Sequence, residues 1–190
     1  MKNKFYIPIF AFLFSILGYA QSNYYYYYKG QKVYLTLDKS NITLSTFEDF
    51  QKSSVSTLNL KDFNIEMENT IGQSNKYAKV EFQNTPTDID YYQKINLLNS
   101  NPKIIKAQPN FFNSQGVKIG MSDYFYVKLN NISDYPILQN LAIQKDVIII
   151  GQNQFMPLWY TLKCKKSSIG STLEIANQFQ ESGNFASAVP

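Results

Sequence analysis

The 190-residue chain carries 18 basic and 14 acidic side chains, a formal net charge of +4, and every basic residue is a lysine scattered along the sequence. With no arginine fork for phosphates or base edges and no basic cluster, nucleic acid is not expected as a partner. The absence of histidine and the single cysteine exclude Ser–His and Cys–His catalysis, histidine and thiolate metal sites and an internal disulfide, so neither a cofactor nor an enzymatic role is expected.

At the N-terminus, Lys2 and Lys4 precede an apolar run from Phe5 to Leu17, and Gly18-Tyr19-Ala20 leads into Gln21. A positive start, a short apolar stretch and small residues before the cut mark residues 1–20 as a secretory signal peptide. The run is shorter than the ~20 apolar residues that a spanning helix needs. The expected location is therefore secreted (periplasmic, cell-surface or extracellular), with no membrane anchor after cleavage.

Residues 21–112 form the first half, and they open on five consecutive tyrosines, Tyr24 to Tyr28. Residues 33–45, VYLTL-DKSN-ITLS, alternate on both sides of a polar tetrapeptide, which predicts a hairpin. Ser45-Thr46-Phe47-Glu48 has the form of a capping box and predicts a short helix carrying Phe47 and Phe50. Residues 52–75 are polar and aperiodic, as a loop would be. Tyr77 to Gln83 alternates like a strand. Pro86-Thr87-Asp88 then opens a helix with Tyr91, Ile95 and Leu98 on one face, stopped by Asn99-Ser100-Asn101-Pro102. Lys103 to Ala107 is a further strand candidate, ending in Gln108-Pro109-Asn110-Phe111. Residues 113–123, with Gly116 and Gly120, are expected to link two halves.

The second half, 124–190, is the more regular. Tyr124 to Asn130 reads as a strand. Ser133 or Asp134 caps a helix bearing Ile137, Leu138, Leu141 and Ala142. Val147 to Ile150 reads as a buried strand, Gly151 to Gln154 as a turn, and Leu158 to Cys164 as a returning strand. Ser171-Thr172-Leu173-Glu174 is a second capping box, opening a helix with Thr172, Ile175, Ala176 and Phe179 on one face and Gly183 just past its end. Ala186 to Val189 closes with a short strand. Strand, helix, strand, strand, helix, strand is the ferredoxin-like order. The expected fold is α+β: a ferredoxin-like (βαββαβ) second half preceded by a related, smaller α+β half. Kinship of the halves is read from their endings, where Ala107 and Pro109 recur in pattern as Ala188 and Pro190.

Paired carboxylates at Glu48 and Asp49 or at Asp88 and Asp90 are expected to cap helix N-termini rather than to exchange protons. Cys164 shares strand parity with Leu158, Tyr160 and Leu162, as a small core residue would. The opposite parity places Trp159, Thr161 and Lys163 beside Tyr124, Tyr126 and Lys128 on the face that a ferredoxin-like sheet leaves without helices. Trp and Tyr gathered on such a face mark a protein-binding surface, unless the first half covers it.

With these residues in view, YFYVKLN, IIIGQNQFMPLWYTL and LEIANQFQESGNFASAVP, together with the opening YYYYYKGQKVYLTLDKSNI, resemble the N-terminal propeptide of secreted subtilisin-like serine proteases from Bacteroidetes. The resemblance implies a folding assistant and inhibitor whose sheet face docks on a protease domain through Tyr124, Tyr126 and Trp159. It also implies a tail, Phe185, Ala186, Ser187, Ala188, Val189 and Pro190, that lies in the active-site cleft like a bound product. A propeptide is normally followed by its catalytic domain, whereas this sequence stops at Pro190. The expectation is thus either a truncated precursor or a module acting on a separately encoded protease. A secreted module whose aromatic face binds another surface protein or a glycan is the alternative.

Overall fold

A computed structural model of the chain describes residues 24–58, 63–68 and 76–190, so the expected signal peptide, residues 1–20, lies outside the described residues. Among the described residues the architecture is α+β, with two antiparallel sheets and three α-helices.

The first sheet holds β1 (Tyr24–Tyr28), β2 (Gln31–Thr46), β3 (Phe63–Glu68), β4 (Lys76–Phe82), β5 (Ile104–Phe112) and β6 (Lys118–Ile119), with α1 (Asp88–Ser100) between β4 and β5. Its order is β3-β4-β2-β5-β6, and β1 pairs with the start of β2. The second sheet holds β7 (Tyr124–Leu129), β8 (Val147–Gln152), β9 (Trp159–Cys164) and β10 (Phe185–Val189) in the order β10-β7-β9-β8. Between its strands run α2 (Tyr135–Gln144) and α3 (Thr172–Glu181).

Set strand for strand, the two sheets share one connectivity. The run β3-β4-β2-β5 corresponds to β8-β9-β7-β10, every neighbouring pair is antiparallel, and a helix precedes the last strand of each. A 3-10 helix, residues 52–58, stands in the first half where α2 stands in the second. Ala107 and Ala188, the alanines of the shared ending, are both buried beneath their helices' clusters.

Three expectations for the first half are corrected. Residues 33–45 are one strand, not a hairpin: Asp38-Lys39-Ser40-Asn41 forms a bulge in β2, where the pairing with β5 slips between Asp38 and Ile42. The carboxylate of Asp38 makes that bulge by accepting the Ser40 N–H at 3.0 Å and the Asn41 amide at 2.9 Å, as an Asx turn does. The hairpin lies earlier, at Lys29-Gly30, where both residues take positive φ (50° and 77°) as a type I′ turn demands. The capping-box motif at Ser45 falls inside β2, so Phe47 follows a strand instead of opening a helix. Residues 52–75, expected as loop, contain the 3-10 helix and β3.

In the second half, α2 and α3 cover one sheet face around Phe125, Val127, Leu162, Ile175 and Phe179. The Ser171 capping box forms as read, with the Ser171 N–H donating to Glu174 Oε2 at 2.7 Å, and Gly183 takes φ 73° just beyond the helix. Asp134 works one turn earlier than expected, its carboxylate accepting the Asn131 N–H at 2.8 Å ahead of α2. β8 is corrected too. It is an edge strand, and Ile148 (43% exposed) and Ile150 (52%) face solvent.

Residues 113–123 join the halves as a packed segment. Met121 sits in a cluster with Leu35, Phe111 and Leu173, contributed by both halves. Asp123 is fully buried, accepting the Tyr77 hydroxyl at 2.8 Å with Lys163 Nζ at 3.7 Å.

Candidate functional site: the uncovered sheet face

Sheet pairing sorts the second half's side chains into two faces, because alternate residues of a strand point to opposite sides. The face away from the helices carries three rows. Tyr124 pairs with Lys163 and Lys163 with Ile148; Tyr126 stands between Val189 and Thr161; Lys128 stands between Ser187 and Trp159. Tyr124, Tyr126 and Trp159 are thus brought together as the sequence predicted. Tyr126 is 45% exposed, and Tyr124 and Trp159 are half-buried. Lys163 lies 5.2 Å from the Tyr124 ring centroid, a cation–π distance.

The matching face of the first half is polar. Its rows are Glu66-Lys79-Thr43-Gln108 and Tyr77-Ser45-Lys106, and the second half is seated on it. Gln108 donates from Nε2 to Thr172 Oγ1 at 2.7 Å and accepts the Thr172 N–H at 2.7 Å, while Lys106 donates to the Ser168 carbonyl. Burial pushes the Lys106 ammonium below its ordinary range. The chain therefore covers one of its two helix-free faces by hydrogen bonding and leaves the aromatic one open.

The first half covers the aromatic face only at its margin. Tyr26, Tyr28, Lys29 and Gly30 of the β1–β2 hairpin form one wall of a groove of about 690 Å³, with Tyr124, Tyr126, Lys128 and Trp159 opposite. The odd-numbered tyrosines of β1 point the other way and fix the hairpin. Tyr25 and Tyr27 donate to Glu181 Oε1 at 2.7 and 3.0 Å, and the Asn177 amide donates to the Tyr25 carbonyl at 2.7 Å. This wall escaped the sequence reading, although the alternation within the five-tyrosine run was its signal.

The tail divides into two sets. Ala186, Ser187, Val189 and Pro190 line the groove. Phe185 and Ala188 do not: within this chain their side chains turn to the core of the second half. Phe185 stacks on Phe179 with ring centroids 5.8 Å apart, Ala188 is fully buried, and β10 is hydrogen-bonded to β7 along its length.

The remaining candidates have structural partners. Asp88 pairs with Lys39 at 2.6 Å and Asp90 accepts the Thr87 hydroxyl at 2.7 Å at the start of α1. Lys103 donates to Asp49 and holds its carboxyl below the usual carboxylate range. Cys164 is buried against Thr172, and burial pushes its thiol up, away from thiolate chemistry. Among the described residues no three acidic or cysteine side chains gather as metal ligands would, and no helix is long and apolar enough to cross a membrane. In comparisons with known proteins, no family model matches the chain and no curated protein matches it.

Proposed function

We propose that the chain is a secreted, propeptide-like binding module that docks on a subtilisin-like serine protease domain and inhibits it or assists its folding. The observation that carries this reading is the uncovered aromatic face of the second sheet, Tyr124, Tyr126 and Trp159, flanked by the outward residues of β10. The strand order β10-β7-β9-β8 supports reading the second half as ferredoxin-like, the architecture that the resemblance implies. A flat sheet face with a fixed hairpin wall suits a preformed interface of roughly 1,600 Å². The role is binding rather than catalysis, since the sequence offers no histidine and its carboxylates serve as caps and ion partners.

The test is inhibition of a panel of secreted subtilisin-like proteases by residues 21–190, compared with Tyr126→Ala and Trp159→Ala. Removing residues 185–190 is a poor control, because it takes two core side chains with it. Inhibition weakened by the face variants, whose melting temperatures stay unchanged, supports the reading. A folded protein that inhibits none of the panel overturns it and favours a surface module for another protein or a glycan.

A further inference from the structure

No acidic side chain answers the positive charge of the groove. Lys29 and Lys128 both line it, and no Asp or Glu does. Among the described residues neither lysine is in an ion pair. Lys163, beside them on the face, is instead matched by Asp123, and that carboxylate is wholly buried and turned to Tyr77. Glu181 stands on the far side of β1, held by Tyr25 and Tyr27. The groove thus presents aromatic walls, the Lys128 ammonium, the Lys29 ammonium set 5.5 Å from the Tyr28 ring, and no carboxylate side chain.

We infer that the groove takes a carboxylate-bearing segment of the partner, acidic side chains interleaved with apolar ones. The charge complement selects an acidic occupant, since a basic segment would set like charges against Lys29 and Lys128 in a partly desolvated trough. The tyrosine and tryptophan walls supply apolar contact area for the interleaved residues. The fixed hairpin means that the trough exists before binding, which lowers the ordering cost of docking. This inference rests on the reading of the uncovered face as a docking surface and specifies the chemistry of what docks there.

The chain contains one tryptophan, and it lines this groove, so Trp159 fluorescence reports on the site directly. The probes are two synthetic octapeptides, one alternating Glu and Leu, the other alternating Lys and Leu, titrated into residues 21–190 at low and high salt. The acidic peptide is expected to shift Trp159 emission saturably, with affinity falling as salt rises, and the basic peptide to leave it unchanged. The double variant Lys29→Glu, Lys128→Glu is expected to lose about ten-fold in affinity for the acidic peptide. Lys52→Glu, on the short helix of the first half, is expected to bind as the parent does. Equal response to both peptides, no response to the acidic one, or undiminished binding by the double variant would overturn the inference. Acidic selectivity without inhibition of any protease supports it while sinking the protease reading. Inhibition that the double variant and salt leave untouched does the reverse.

Discussion

The two halves thread the same four-strand pattern, yet they treat the helix-free face in opposite ways. In the first half that face is built from Thr43, Ser45, Tyr77, Lys79, Lys106 and Gln108, and it is closed by hydrogen bonds from Tyr77 to the joining segment and from Lys106 and Gln108 to the second half. In the second half the same positions hold Tyr124, Tyr126, Lys128, Trp159 and Thr161, and among the described residues only the hairpin and residues 119–122 border them. Connectivity therefore does not decide what a sheet face is for; the alternate residues do. A polar face has buried donors and acceptors to satisfy, so its cover must be specific. An aromatic face accepts a cover supplied from outside.

The sharpest way to separate the halves is to damage the apolar core of the second. Phe179 meets Phe125 edge-on at 5.1 Å and stacks on Phe185, so Phe179→Ala should cost about 3–5 kcal/mol in urea unfolding. Next is the polar bulge of the first half. Burial works against the charge of Asp38, but donors from Ser40 and Asn41, with Lys118 nearby, win and hold its carboxyl below the ordinary range. A depressed carboxylate contributes stability that is fully present above the unfolded value, about 3.9, and is lost as pH falls through the lower folded value. Asp38→Asn should cost about 1.5–3 kcal/mol at neutral pH and flatten that acid limb of the stability profile. An unchanged acid limb would show that the bulge does not depend on the charge.

Gln108→Ala tests whether the halves melt as one. It strips the Thr172 N–H of its acceptor and should cost about 1–3 kcal/mol, turning a single calorimetric transition into two partly resolved ones. Two transitions already present in the parent protein would break the picture of a cooperative internal interface. The smallest effect belongs to the hairpin wall. Glu181→Gln weakens the acceptor shared by Tyr25 and Tyr27 and should cost less than about 1 kcal/mol, while raising amide exchange in β1.

The second half was legible because local signals and tertiary structure agree there. Period-two strands, a true capping box at Ser171 and a glycine beyond α3 all name the elements that form. The first half misled for physical reasons. Asp38-Lys39-Ser40-Asn41 has the composition of a turn, but its side chains satisfy a bulge within one long strand, which alternation alone cannot reveal. The capping motif at Ser45 lost to pairing with β4 and β5, a contest settled by distant residues. The site was half legible: strand parity delivered Tyr124, Tyr126 and Trp159. The hairpin wall depends on how the halves pack, and the tail's attachment depends on Phe179 receiving Phe185; neither is written in local sequence.

Placing β10 beside β7 has a consequence for how the molecule is made. The first strand of the second half keeps an unpaired edge until the last strand arrives, because Phe185 and Ala188 meet Leu129 and Val127 only across the whole intervening motif. During synthesis from the N-terminus, that sheet cannot close early. The second sheet is therefore completed only once residues 185–189 have been made, which delays its closure relative to the first.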